Sequence, residues 1–255
     1  MFLINSATIL TFASAFVWPF IRILAMLSTA PVFNHRAVPR RVRIGLAMGI
    51  AIIVSPLLPP PVLLNDPRAM AVLFQQIAIG IAMGFSMRMI FAAFEVAGDL
   101  LGLQMGLAFA QFIDPQRSSP SPLIGSFLGL LASLAFFTLN GHLLVIAAII
   151  KSFEIAPVSD VFSHIRPERI AALGSLMFML GLQIALPVIT ALMSANIMLG
   201  VLARAAPQLN IMSIGFAVTL LAGFYVLYLS LPFLSITFDQ AILRTLEVPV
   251  LQPAR

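Results

Sequence analysis

The chain has 255 residues, 61% of them hydrophobic and only 9% charged, with a net charge of +5. Soluble domains carry about 25% charged residues, so an ordinary soluble enzyme or binding module is excluded. Cysteine is absent, which removes disulfides, thiolate metal sites and cysteine nucleophiles.

A membrane span needs about 20 mostly apolar residues. Taken in chain order, the runs at 4–27, 44–64, 70–93, 123–150, 170–201 and 211–237 meet that length. The residues before the first run carry no positive charge, so a cleavable signal peptide is not expected. Asn34, His35, Arg36 and the stretch 39–43 close the first run, and Pro59, Pro60, Pro61, Asn65, Asp66 and Pro67 close the second. Residues 204–210, with Pro207, separate the last two, short enough for an antiparallel hairpin. The fourth and fifth runs hold Asn140-Gly141-His142 and Gln183, Pro187 and Asn196, and the interior proline predicts a kink. The expected fold is all-α: one polytopic membrane-type helical domain of about six long apolar helices with kinked hairpins. A six-span arrangement puts Arg36, Arg40, Arg41, Arg43, Arg117 and Arg204 on one side. It puts Arg68, Lys151, Arg166, Arg169, Arg244 and Arg255 on the other, so charge does not choose an orientation.

The stretch 95–122 is unusual for its setting. It carries Glu95, Asp99 and Asp114 among apolar residues, a glycine ladder at Gly98, Gly102 and Gly106, and a Pro- and Ser-rich exit at 115–122. Charged or irregular backbone at membrane depth is tolerated only against protein or a water-filled passage. Arg88, Glu95 and Asp99 share one helix face at i, i+7 and i+11, and are expected to pair with each other or with a partner chain. A proton relay is the rival reading, but the other runs supply no second carboxylate to receive the proton. An intramembrane aspartyl protease needs two facing aspartates, and only Asp99 qualifies.

The ladder, with Gly45/Gly49, Gly80/Gly84 and Gly125/Gly129, marks grooves for close helix approach, within the chain or between subunits. Arg22, near the end of the first run, is expected to snorkel to the interface. Gln75, Gln76, Gln104, Gln183 and Asn196 can bond across helices. Met83, Met87, Met89 and Met105, with Phe109 and Phe112, fit either core filling or a soft gasket around a passage; composition favours the core. Metal, cofactor and catalytic sites have no motif: His35, His142 and His164 are scattered, and no phosphate loop or Ser-His-Asp set is present. No basic run alternates with aromatics, so nucleic acid is not an expected partner.

The order of motifs is particular. Pro31 and Pro39 flank a basic turn that ends Arg40-Arg41-Val42-Arg43. Then come Glu95-Val96-Ala97-Gly98-Asp99 and the run from Gln104 to Asp114-Pro115. Asn140-Gly141-His142, Ala185-Leu186-Pro187, Asn196, Leu199-Gly200 and Arg204-Ala205-Ala206-Pro207-Gln208-Leu209-Asn210 follow. Over residues 12–246 this resembles the FliR/SctT family of type III export-gate proteins. The resemblance implies a FliP-like part over 1–169, a FliQ-like helical hairpin over 170–238 and a polar tail over 239–255. It implies a helical gate shared with FliP and FliQ in the bacterial inner membrane, at the flagellar basal body, with much of the assembly on the periplasmic side. FlhB and FlhA would be neighbours, the rod-proximal FliE would dock on the outer end, and unfolded export substrates would pass. A plug loop would run from Gly106 to about Pro122, with Phe109 and Phe112 as stopper residues beside Met105, Asp114 and Pro115. Gly98, Gly102, Glu95, Asp99, Arg88, Arg204, Pro207, Gln208 and Asn210 would pack between subunits. The expected activity is non-enzymatic. An injectisome gate, a small-solute or proton transporter and a passive scaffold are the alternatives.

Overall fold

The computed structural model describes residues 6–59, 62–107, 123–158, 167–206 and 211–246. Among the described residues seven helices form: α1 Ser6–Thr29, α2 Arg40–Val54, α3 Ala69–Gln104, α4 Leu123–Thr138, α5 Gly141–Ile155, α6 Pro167–Ala205 and α7 Ile211–Leu246, with a 3-10 turn at Ser55–Leu57 after α2. No strand occurs among the described residues. Helix is the only local structure that satisfies an apolar run's own N–H and C=O groups without water.

Among the described residues four helices are long and apolar enough to cross a membrane: α1, α3, α6 and α7. The broken pair α4 and α5 makes a fifth if counted as one span. The expectation of about six spans is therefore corrected at two places. The run at 44–64 yields only the 15-residue α2, about 22 Å long at 1.5 Å per residue. Pro56 turns the chain there into the 3-10 turn and, lacking an N–H, cannot continue the ladder. The run at 123–150 breaks at Asn140, whose backbone is left-handed (φ 55°, ψ 32°), a state that asparagine tolerates better than most residues. The run at 70–93 instead continues through Glu95 and Asp99 as one 36-residue helix. Pro187 lies inside an uninterrupted α6.

The chain packs as two compact units. One holds Met1–Met89, Asn140–Gly174 and Ile242–Arg255; the other holds Ile90–Leu139 and Ser175–Ala241. The helices α3, α6 and α7 each contribute to both.

In the first unit α2 returns antiparallel to α1. Arg43 near its start donates Nε–H to the Phe33 carbonyl (3.2 Å), and Ser55 at its end donates to the Ala15 carbonyl (2.9 Å). The first half of α3 then runs parallel to α1. Gln76 meets Arg22, Gly80 lies against the backbone at Arg22 and Met26, and Gly84 lies against Met26 and Thr29. A parallel neighbour requires a return path, which α2 and the non-helical stretch after Leu57 provide.

The second unit is built on the other half of α3. Helix α4 runs antiparallel to it, with Gly98 against Gly125 and Phe91 against Phe136. Helix α7 is also antiparallel to α3: Met105 meets Gly223 and Thr219, while Phe91 and Phe94 meet Phe238. Helix α6 enters through Gly181, which lies against Ala93 and Val96. Burial separates these helices. Of the candidate spans, 61% of the α3 window is buried within the chain, against 28% for α6 and 22% for α7. Helix α3 is thus the core element, and α6 and α7 leave most of their apolar surface uncovered.

Candidate functional site

Two constellations stand out, one in each unit. The first is a polar stripe on α1. Ser14, Trp18 and Arg22 recur at i, i+4 and i+8, so they lie on one helix face, and all three are buried. Each serves backbone that helix geometry leaves unsatisfied. The Trp18 indole N–H donates to the Val62 carbonyl (2.7 Å), and the Leu64 N–H donates to Ser14 Oγ (3.1 Å). Residues 62 and 64 belong to the non-helical return segment, whose peptide groups would cost several kcal/mol each if left unmet in hydrocarbon.

Arg22 does the same for the end of α5. Its Nε–H donates to Gln76 Oε1 (2.7 Å), Nη1 to the Ser152 carbonyl (2.9 Å) and to Ser152 Oγ (3.1 Å), and Nη2 to the Ala156 carbonyl (2.8 Å). Its guanidinium carbon lies 3.8 Å from the centre of the Phe153 ring. Ala156 is the C-cap of α5. The last carbonyls of a helix lack intrahelical donors and carry the negative end of the helix dipole. A guanidinium set there finds acceptors, partial negative charge and an aromatic face, and together these compensate for its loss of water. Arg22 is fully buried, so the expectation that it snorkels is corrected. A guanidinium reaches the interface only if its helix face is lipid-exposed, and this face is covered by α3 and α5. The i, i+4, i+8 spacing in an otherwise apolar helix was the available signal; Ser14 and Trp18 escaped notice because neither is charged.

The second constellation is the α3–α4 contact and the end of α3. A methyl group on Gly98 would meet Gly125 Cα at 2.5 Å and the Ile124 carbonyl at 2.6 Å, so only glycine permits this approach. Gly125 in turn lies under the Asp99 carboxylate, and Gly129 lies beside the Glu95 side chain. Helix α3 ends in a Schellman motif. Leu107 N–H bonds the Gly102 carbonyl (3.0 Å) and Gly106 N–H bonds that of Leu103 (3.1 Å). Gly106 takes the left-handed backbone this cap requires (φ 80°). Gly106 is therefore a helix terminator, not the third rung of a packing ladder. Met105, just before it, is fully buried, with its side chain on Gly223 and its carbonyl facing Thr219 Oγ1 at 3.5 Å.

The remaining expected residues divide three ways. Arg88, Glu95, Asp99 and Arg204 are exposed, as are Gln104, Gln183 and Asn196. Gly102 is half-buried against Ile124, while Met83 and Met87 are buried and Met89 half-buried. Phe109, Phe112, Asp114, Pro115, Pro207, Gln208 and Asn210 lie outside the described residues. Of the expected glycine steps, Gly80/Gly84, Gly98 and Gly125/Gly129 lie against neighbours within the chain, whereas Gly45 and Gly49 have nothing within 4 Å.

Fold and composition define a polytopic helical membrane protein. Its family follows from comparison with known proteins. Residues 13–245 match the family described as bacterial export proteins, family 1, and the chain belongs to that family. It is 46% identical over 239 residues to the flagellar biosynthetic protein FliR of Pectobacterium carotovorum subsp. carotovorum, covering 91% of this chain and 90% of that protein. It is 41% identical over 243 residues to the FliR of Escherichia coli (92% and 91% covered). It is 34% identical over 238 residues to that of Bacillus subtilis (91% and 92% covered).

Proposed function

We propose that this chain is a component of the bacterial flagellar export apparatus in the inner membrane, and that it acts as a non-enzymatic subunit of the export gate. Membership of the export family over residues 13–245 carries this reading. Flagellar relatives at 34–46% identity favour the flagellum over an injectisome.

The gate mechanism rests on the end of α3. The Schellman cap at Gly106 stops a long, buried helix and redirects the chain into residues 108–122. Met105, fixed against Gly223, gives that segment a firm base. A loop launched from a rigid helix end can block a conduit and be displaced without unfolding its support. Phe109 and Phe112 would act as apolar stoppers, with Asp114 and Pro115 closing the loop, since an apolar constriction holds ions back by dewetting. A passage for unfolded chains must accept any side chain, so apolar sealing suits it better than specific polar recognition.

The partly covered α6 and α7 would lie against FliP and FliQ, and the exposed Arg88, Glu95, Asp99 and Arg204 would face those neighbours. Gly98 and Gly102 with residues 207–210 would complete those contacts. The division into a FliP-like part and a FliQ-like hairpin, neighbours FlhB and FlhA, and docking of FliE on a periplasmic end belong to the same reading. Energy would come from other subunits.

The test has two parts. Deleting residues 106–122 is expected to raise ion conductance of membranes that hold the assembled gate; unchanged conductance would remove the plug. A photocrosslinker at Phe109 is expected to capture a stalled export substrate, and failure under every stall condition would leave only a scaffold role.

A further inference from the structure

The turn between α1 and α2 carries positive charge with no acidic residue near it in sequence. Arg36, Arg40 and Arg41 are exposed, while Arg43 is held by the Phe33 carbonyl. Residues 1–65 contain no Asp or Glu. The first acid, Asp66, is engaged by Arg68 at 3.0 Å. The first turn of α2 has no acidic residue, so Arg40, Arg41 and Arg43 also oppose the positive end of the helix dipole. An external anion would relieve both penalties. Helix α2 also exposes Val42 and Leu46 on one side and Ile44 and Met48 on another. Helix α1 is long and apolar enough to span a membrane and ends at Thr29, and α2 folds back along it, so a membrane crossed by α1 would meet this turn at headgroup depth.

We infer that residues 36–48 form a binding surface for anionic phospholipid. Arg36, Arg40 and Arg41 take the headgroup phosphate through charge-assisted hydrogen bonds. The exposed aliphatic side chains of α2 lie along the acyl chains. An acidic protein segment would satisfy the charge but would not explain the exposed aliphatic side chains beside it. This surface is independent of the gate reading.

The full chain is reconstituted in phosphatidylcholine vesicles, with or without phosphatidylglycerol, and arginine modification by phenylglyoxal is followed by mass spectrometry. One basic residue gains roughly 1 kcal/mol at an anionic surface, so modification of each of the three arginines should slow about fivefold with phosphatidylglycerol. Equal rates in both vesicles would overturn the inference. Equal slowing by soluble inorganic phosphate in neutral vesicles would also overturn it, in favour of a simple anion site. Protection in native membranes but not in phosphatidylglycerol vesicles would replace the lipid with an acidic protein. The variant R36Q/R40Q/R41Q, purified whole, should retain fewer phosphatidylglycerol molecules in native mass spectrometry; undiminished retention counts against the site. Unchanged Trp18 emission shows that the variant is folded.

Discussion

The two units solve one problem by different chemistry. The first contains irregular backbone, around the 3-10 turn, at residues 62–68 and at the end of α5, and answers it with the buried Ser14, Trp18 and Arg22. The second is almost wholly helix where described, and it relies on the Gly98–Gly125 approach and a cluster of Phe91, Phe94, Phe136 and Phe238. Regular helices meet their own backbone needs and require only shape. Broken backbone in an apolar setting requires donors and acceptors brought from elsewhere. An apolar chain thus places polar side chains where its secondary structure stops.

The largest expected effect comes from breaking the polar side of this contrast. Arg22→Met strands the Ala156 carbonyl and the Gln76 side chain, at a cost of about 3 kcal/mol or more for lost charged hydrogen bonds. Denaturant titration in detergent would read it. Arg88→Met, which alters an exposed arginine, should leave the isolated chain unchanged by the same measure. Trp18 is the single tryptophan and reports on the first unit alone, so its emission should shift to the red in Arg22→Met.

Next comes the shape-dependent unit. Gly98→Leu forces α3 and α4 apart and should cost about 1–3 kcal/mol as an overpacking change. Native Trp18 emission should stay unchanged. A red shift there would erase the contrast between the units. Gly106→Ala is expected to cost about 1 kcal/mol, because alanine resists the left-handed cap; earlier proteolysis after residue 104 would accompany it.

The smallest effect belongs to Asp66. The Arg68 side chain and backbone hydrogen bonds hold its carboxyl below the ordinary carboxylate range. A depressed folded pKa adds stability above the unfolded value, and that stability is lost as pH falls through the folded one. The pair lies at the surface, with Arg68 exposed and Asp66 half-buried, so Asp66→Asn should barely move the melting temperature. Any acid dependence it removes should lie below about pH 4.

Much of the fold was legible from composition, because apolar runs of span length leave helix as the only satisfied backbone. The starts and ends of α1 and α6 and the start of α7 fall close to the polar and proline breaks, whereas α7 runs on past the expected end at 237 to Leu246. The Gly98 and Gly125 steps were legible as close contacts, since small-residue spacing has few other uses. Arg22 was not, because one arginine near a helix end reads the same whether its face meets lipid or protein. Gly106 was misplaced for a similar reason: a four-residue glycine step cannot distinguish a groove from a cap.

The sequence by itself determined that this chain is helical and apolar, with breaks at the polar and proline clusters around 34–43 and 59–67, since residue chemistry sets hydration and backbone freedom locally. Only the tertiary structure decided that α1 and α3 run parallel, that Arg22 closes α5, and which glycines touch a neighbour. Those outcomes depend on which faces meet, and an apolar surface packs equally well against many partners until polar groups and close contacts select one.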